Sequence, residues 1–266
     1  MVSLLSNRST GTLTTLVSLF LILGSCGNTE EKETDTKPPN IIFLLMDDQR
    51  WDTMGVMGNS IIQTPNMDRL ANEGTLFTNA QVTTAICVAS RASILTGQYV
   101  SRHGINSFID TLKYDKLVDT YPLQLKKKKG YKIGFIGKYG VGLVQPSEYF
   151  DYWAAEKIQQ PEYETVDENG DSIHYTDLVS KRMDTFLDSL GNGAPFCLSV
   201  SFKAPHVQDK DPRQFLYADR YKDLYADVEI PVPSHIKDTY EETFPEAFKN
   251  PIFEGDTLIN ESRKRC

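Results

Sequence analysis

The sequence is poor in the features that would settle its class at once. Its four cysteines, Cys26, Cys87, Cys197 and Cys266, stand far apart. There is no CxxC pair and no framework spacing, so neither a zinc site nor a disulfide scaffold is indicated. Positive charge is in deficit: 28 Lys and Arg face 36 Asp and Glu, a net charge of −8. Nucleic acid requires a basic surface, so it is excluded as the main partner. Long apolar runs are missing too, since the most apolar stretch, Leu13–Leu23, is too short to span a bilayer comfortably. No internal repeat is visible. What is present is 266 residues of ordinary globular composition, 40% hydrophobic and 24% charged. That suffices for a real core in one large domain or two small ones.

Leu13–Leu23 does have the length of a secretory signal core. Leu23-Gly24-Ser25-Cys26 follows it and resembles the lipobox of bacterial lipoproteins, in which cleavage leaves an acylated N-terminal cysteine. Residues 1–26 are therefore read as a signal peptide and residues 27–38 as a polar, acidic, proline-ended linker. The folded domain is read as 39–266. The expectation is export to the periplasm or outer surface of a bacterium, with a lipid anchor holding the chain to a membrane.

Three short apolar runs rich in β-formers, Asn40–Met46, Tyr131–Ile136 and Pro195–Phe202, read as strands buried on both faces. Leu76–Asn79 and Val82–Ile86 read as extended approaches to Cys87. Helices are expected over Thr64–Gly74, Ala89–Thr96, Tyr121–Lys129 and Tyr175–Leu190. Tyr149–Asp171 lacks periodicity and reads as an irregular excursion, and His103 as a loop residue. Strands alternating with helices define an α/β fold with a mostly parallel central sheet flanked by helices.

The informative pattern is where the polar residues fall. Asp47-Asp48, Lys138 and His206 each follow the end of a different expected strand, and Cys87 and Arg91 open a helix. Each has a plain reading alone. The aspartates suit a helix cap and a solvated loop, the cysteine a small buried hydrophobe, the lysine a glycine-rich turn. In an open parallel sheet, however, the strand C-termini line one edge, and ligands bind in the crevice there. Two carboxylates, two cations, an imidazole and a helix N-terminus in one crevice suit a divalent metal and a tetrahedral anion. Sulfate and phosphate are not separated by this pattern.

These residues resemble the type I sulfatases of the alkaline-phosphatase-like superfamily. Asn40–Asp48 is similar to the family's opening strand with paired metal-binding aspartates. Thr64-Pro-Asn-Met-Asp-Arg-Leu-Ala-Asn-Glu-Gly74 is similar to its TPN-LDxLAxxG helix. Cys87-Val-Ala-Ser-Arg91, followed by Ala92-Ser-Ile-Leu-Thr-Gly97, resembles the CxPSR/CxASR element, whose cysteine is oxidised to formylglycine. Gly137-Lys-Tyr-Gly-Val-Gly142 resembles the GKWHxG turn, and Ala204-Pro-His206 the PHxP turn.

The resemblance implies an alkaline-phosphatase-like sandwich that hydrolyses the sulfate ester of a carbohydrate, after a formylglycine-generating enzyme has converted Cys87. Hydrated formylglycine is a gem-diol: one hydroxyl attacks sulfur and displaces the alcohol, and loss of the other's proton expels sulfate. Asp47, Asp48 and residue 87 would ligate Ca²⁺. Arg91 would orient the formylglycine, and Lys138 and His206 would neutralise or donate to sulfate oxygens. The sequence departs from the family at Ala89, where proline is commoner, and at Gly140, where many members place a histidine. The family's remaining metal ligands come from beyond the His206 region, and no counterpart is found before Cys266. The chain is accordingly expected to be a truncated sulfatase. Two alternatives stay open: a phosphodiesterase or phosphonate monoester hydrolase of the same superfamily, and an inactive surface lipoprotein.

Overall fold

The computed structural model describes residues 38–191 and 194–231. The expected signal peptide, lipobox and most of the linker therefore lie outside the described residues. The core is a sheet of four strands: β1 (Ile41–Asp47), β2 (Lys132–Gly137), β3 (Tyr152–Ala155) and β6 (Phe196–Pro205). Their order is β1-β6-β2-β3 and every neighbour pair is parallel. Between β3 and β6 the chain adds an antiparallel ribbon of β4 (Glu164–Val166) and β5 (Ser172–His174).

The alternation of side chains along β2 and β6 sorts the core onto two faces. Ile133, Phe135 and Cys197 pack on one side against Val88, Ala92 and Leu95 of α2 (Cys87–Thr96) and Leu123 of α5 (Tyr121–Lys129). Ile136, Leu198 and Val200 pack on the other against Leu178, Val179 and Phe186 of α6 (Tyr175–Ser189). A Cβ at Gly134 would stand 2.9 Å from the Phe186 ring, so the bare glycine lets α6 lie close on the sheet. Cys197 is packing material, as expected, and burial pushes its thiol up to about 11. The remaining helices, α1 (Pro65–Glu73), α3 (Val100–His103) and α4 (Tyr114–Leu117), are short.

Four expectations need correction. β1 is the sheet's edge strand among the described residues, and Ile42 and Leu44 are 47% and 40% exposed. Its continuous apolar run is therefore covered on one face only. The stretch Leu76–Ile86 forms turns and bends and no strand, and among the described residues no strand pairs with it. The supposed excursion Tyr149–Asp171 contains β3, too short for its alternation to show. β3 is held by aromatic packing, with the Trp153 ring stacked on Phe135 at 5.1 Å and Tyr152 against Phe186 at 5.5 Å. His103 is a buried helix residue: its Nδ1 accepts from the Ile105 amide and its Nε2 meets Ser93 Oγ at 2.9 Å.

Candidate functional site

The parallel arrangement brings the C-terminal ends of β1, β6 and β2 to one edge of the sheet. Asp47 ends β1 and is buried, 5% exposed. Lys138, the residue after β2, reaches across the end of β6, and its Nζ donates to Asp47 Oδ2. Arg91, one turn into α2, approaches the same oxygen with Nη2 at 3.4 Å. Its Nη1 donates to the Lys138 carbonyl at 2.7 Å and to Ser201 Oγ. Burial lowers the Arg91 pKa and Asp47 works against that shift. The guanidinium remains a cation in any case.

The two adjacent aspartates have separate surroundings. Asp48 turns the chain through a left-handed conformation, φ 61°, which aspartate tolerates better than most residues. Its carboxylate is 64% exposed and lies 3.5 Å from His206 Nε2. His206 follows β6, and its Nδ1 sits 2.7 Å from the Val207 carbonyl oxygen. Cys87 is the first residue of α2, with the extended Ile86 as N-cap, so it stands at a helix N-terminus as expected. Arg91 stands one turn further along the same helix. Asp47, Arg91 and Lys138 thus meet directly, Asp48 and His206 meet each other, and Cys87 opens the helix that carries Arg91.

Three further residues belong to the cluster and were missed in the sequence. Ser201 takes a bond from Arg91. Its signal was present, because Ser199 and Ser201 put two hydroxyls on one face of an otherwise apolar strand, and buried hydroxyls need partners. Gln160 joins Lys138 to His206, with Oε1 2.8 Å from Lys138 Nζ and Nε2 3.1 Å from His206 Nε2. Lys203 is 1% exposed, bonded to the Pro161 carbonyl at 2.6 Å and to Gln208 Oε1 at 2.5 Å. Its ammonium lies 4.4 Å from the Tyr163 ring centre. Burial holds the Lys203 pKa below the usual lysine range.

Gly140 bears on the same cluster. It has φ 65°, and a Cβ there would come 2.8 Å from Arg91 Cδ and 3.1 Å from Arg91 Nε. The missing side chain is what admits Arg91 between the loop and the sheet. Gly140→Ala is expected to destabilise the fold by about 1–3 kcal/mol, through the strained backbone and the displaced guanidinium. Urea unfolding of the variant beside the wild type measures it.

The sulfatase family model matches residues 39–247 of this chain. The chain belongs to that family. It is 33% identical over 249 residues to an N-acetylglucosamine-6-O-sulfatase of Bacteroides thetaiotaomicron, covering 91% of this chain and 42% of the relative. It is 30% identical over 238 residues to an arylsulfatase of Clostridium perfringens, covering 73% of this chain and 48% of the relative. A solved structure of a protein in complex with its substrate D-glucosamine-2-N,6-O-disulfate is similar to it, with a TM-score of 0.63 at 33% identity. That match covers 77% of this chain and 41% of the other. The chain thus spans less than half the length of these relatives.

The family generally implies a formylglycine and a divalent metal. Asp47 and Asp48 carry the hard oxygen donors that Ca²⁺ or Mg²⁺ takes. Among the described residues, however, no three His, Cys, Asp or Glu side chains converge as a metal cage. Asp47 Oδ2 is already held by Lys138 and Arg91. The described donors fit such a cation in kind and fall short of it in number.

Proposed function

We propose that this protein is a sulfuric ester hydrolase acting on a sulfated glycan. The observation that carries this reading is an imbalance of buried charge. Among the described residues Arg91, Lys138 and Lys203 are buried cations, and Asp47 is the only buried carboxylate. A chain of net charge −8 has concentrated positive charge at one sheet edge, where low polarity magnifies it. Such an edge attracts an anion. The relatives named for N-acetylglucosamine-6-O-sulfate and aryl sulfate support a sulfate ester as that anion. The relative bound to a glucosamine disulfate supports a carbohydrate as its carrier.

In this reading a maturation enzyme would convert Cys87 to formylglycine, and Asp47 and Asp48 would be the part of a divalent cation's ligand set that the described residues supply. When present, the two groups would supply a hydrated aldehyde as nucleophile and Lewis-acid chemistry. The chain's own residues do the rest. Arg91, fixed by the Lys138 carbonyl and Ser201, holds position 87 at the start of α2. Lys138, fixed by Asp47 and Gln160, neutralises the anion from the β2 side. His206, at the more open rim, exchanges a proton with the ester or the nucleophile. The lipobox-like Cys26 supports export and lipid anchoring to a membrane.

The test is a comparison of full-length protein on an aryl sulfate and an aryl phosphodiester. Sulfate release is expected to exceed diester cleavage by at least about 100-fold in kcat/KM, roughly 2.7 kcal/mol of transition-state preference. Preference for the diester would overturn the reading.

A further inference from the structure

Gln160 lies in the segment between β3 and β4, and the fold delivers its amide to one place. Next to it, the Pro161 carbonyl accepts from Lys203 Nζ at 2.6 Å. The Tyr163 amide donates to Gln208 Oε1 at 3.1 Å, and Tyr163 OH donates to the His206 carbonyl at 2.7 Å. The Tyr163 ring stacks on His174 at 5.2 Å. Four contacts thus pin Pro161 and Tyr163 to neighbouring elements, three of them at or just beyond the end of β6. The side chain of Gln160 then fills the gap between Lys138 and His206.

The polarity of this bridge is set by chemistry. An ammonium has donors and no acceptor, so the Lys138 side of the amide must be its oxygen. The NH₂ group is therefore the side that meets His206 Nε2. A nitrogen facing an amide donor has to accept, so the ring proton belongs on Nδ1. The other end of the ring agrees, because Nδ1 lies 2.7 Å from the Val207 carbonyl oxygen, which can only accept. One neighbour argues the other way: the Asp48 carboxylate at 3.5 Å favours a proton on Nε2.

We propose that Gln160 is a positioning residue that couples Lys138 to His206 and holds the His206 ring as the Nδ1–H tautomer. Nε2 then accepts from the Gln160 amide, against the pull of Asp48. Its purpose rests on the hydrolase reading, in which a ring of fixed tautomer and orientation faces the reacting groups. The tautomer itself does not rest on that reading and can be tested without turnover.

The experiment is nitrogen NMR of the full chain labelled with ¹⁵N-histidine, at about pH 8.5, well above the ordinary histidine range. The chain has four histidines, and the His206 signals are assigned by their loss in His206→Asn. In the wild type the Nε2 signal is expected at the position of a bare ring nitrogen. In Gln160→Leu, with the donor gone and Asp48 remaining, it is expected to move at least halfway toward a protonated one. Gln160→Glu keeps an acceptor for Lys138 but loses the amide donor, so it is expected to shift the tautomer in the same sense; it also serves if the leucine variant fails to fold. On an aryl sulfate both variants are expected to lose about 10–100-fold in kcat/KM at an unchanged unfolding midpoint. A wild-type Nε2 that already carries the proton, or a tautomer unmoved in a folded variant, overturns the proposal. Absence of sulfate release from every form, with the tautomer shift as expected, overturns the hydrolase reading alone.

Discussion

Cys87→Ala is expected to abolish sulfate release by the full-length protein, a fall of at least about 10⁴-fold in kcat, as for the loss of a covalent nucleophile. The fold is expected to survive. Cys87 is only partly buried, and Val88, Ala89, Ala92 and Leu95 anchor its helix, so the change in stability should stay within about 1 kcal/mol. Cys87→Ser should fall as far, because a serine would leave a stable sulfate ester with no second hydroxyl to expel the sulfate. The companion measurement is the mass of the peptide containing Cys87. Conversion of a thiol to an aldehyde removes about 18 Da, and that loss is expected in active wild-type protein. Full activity with an unmodified thiol would remove Cys87 from the chemistry.

Asp47→Ala is expected to lower stability by about 3–5 kcal/mol, the usual consequence of removing one partner from a buried ion pair. Asp47 is the carboxylate that both Lys138 and Arg91 approach, and all three are nearly inaccessible. Without it two ammonium-type charges are left facing each other in surroundings of low polarity. The urea midpoint reads the effect, and Asp48→Asn, which keeps a residue that tolerates the left-handed backbone, serves as the control. With its side chain 64% exposed, Asp48 should contribute no more than about 0.5 kcal/mol. Joining Asp47→Leu to Lys138→Met should recover part of the loss, since the double change removes the charge as well as its partner. A loss below about 1 kcal/mol in Asp47→Ala would contradict the buried cluster.

The ends of β1, β2 and β6 were legible because each apolar run stops abruptly at a polar residue, and a parallel sheet sends those stops to one edge. Asp47, Lys138 and His206 could thus be assigned to one crevice from position alone. The helix opening at Cys87 was legible from Gly97 behind it and from the Arg91 spacing. Gln160 was not legible. It lies in a stretch without periodicity, and its role depends on two residues brought in from β2 and β6. Lys203 passed for part of a turn, since nothing local shows that a lysine inside Phe196–Pro205 will be buried beneath an aromatic ring. The exposure of Ile42 and Leu44 could not be read either, because it is set by what packs on that face of the sheet.

The pairing of β1 with β6 has a further consequence, in the order of assembly. Ile41 lies beside Cys197, so the sheet's first strand waits for its partner until most of the described chain has been traversed. Contacts so distant in sequence form late, after local helices such as α2 and α6 have begun to turn. Until then Asp47 has no buried cations to meet, and α2 lacks Ile133, Phe135 and Cys197, against which Val88 and Leu95 finally pack. The cysteine at its first position is reachable as part of a loose peptide throughout that interval. Closing the sheet fixes that peptide in its helix and gathers the charges in the same event.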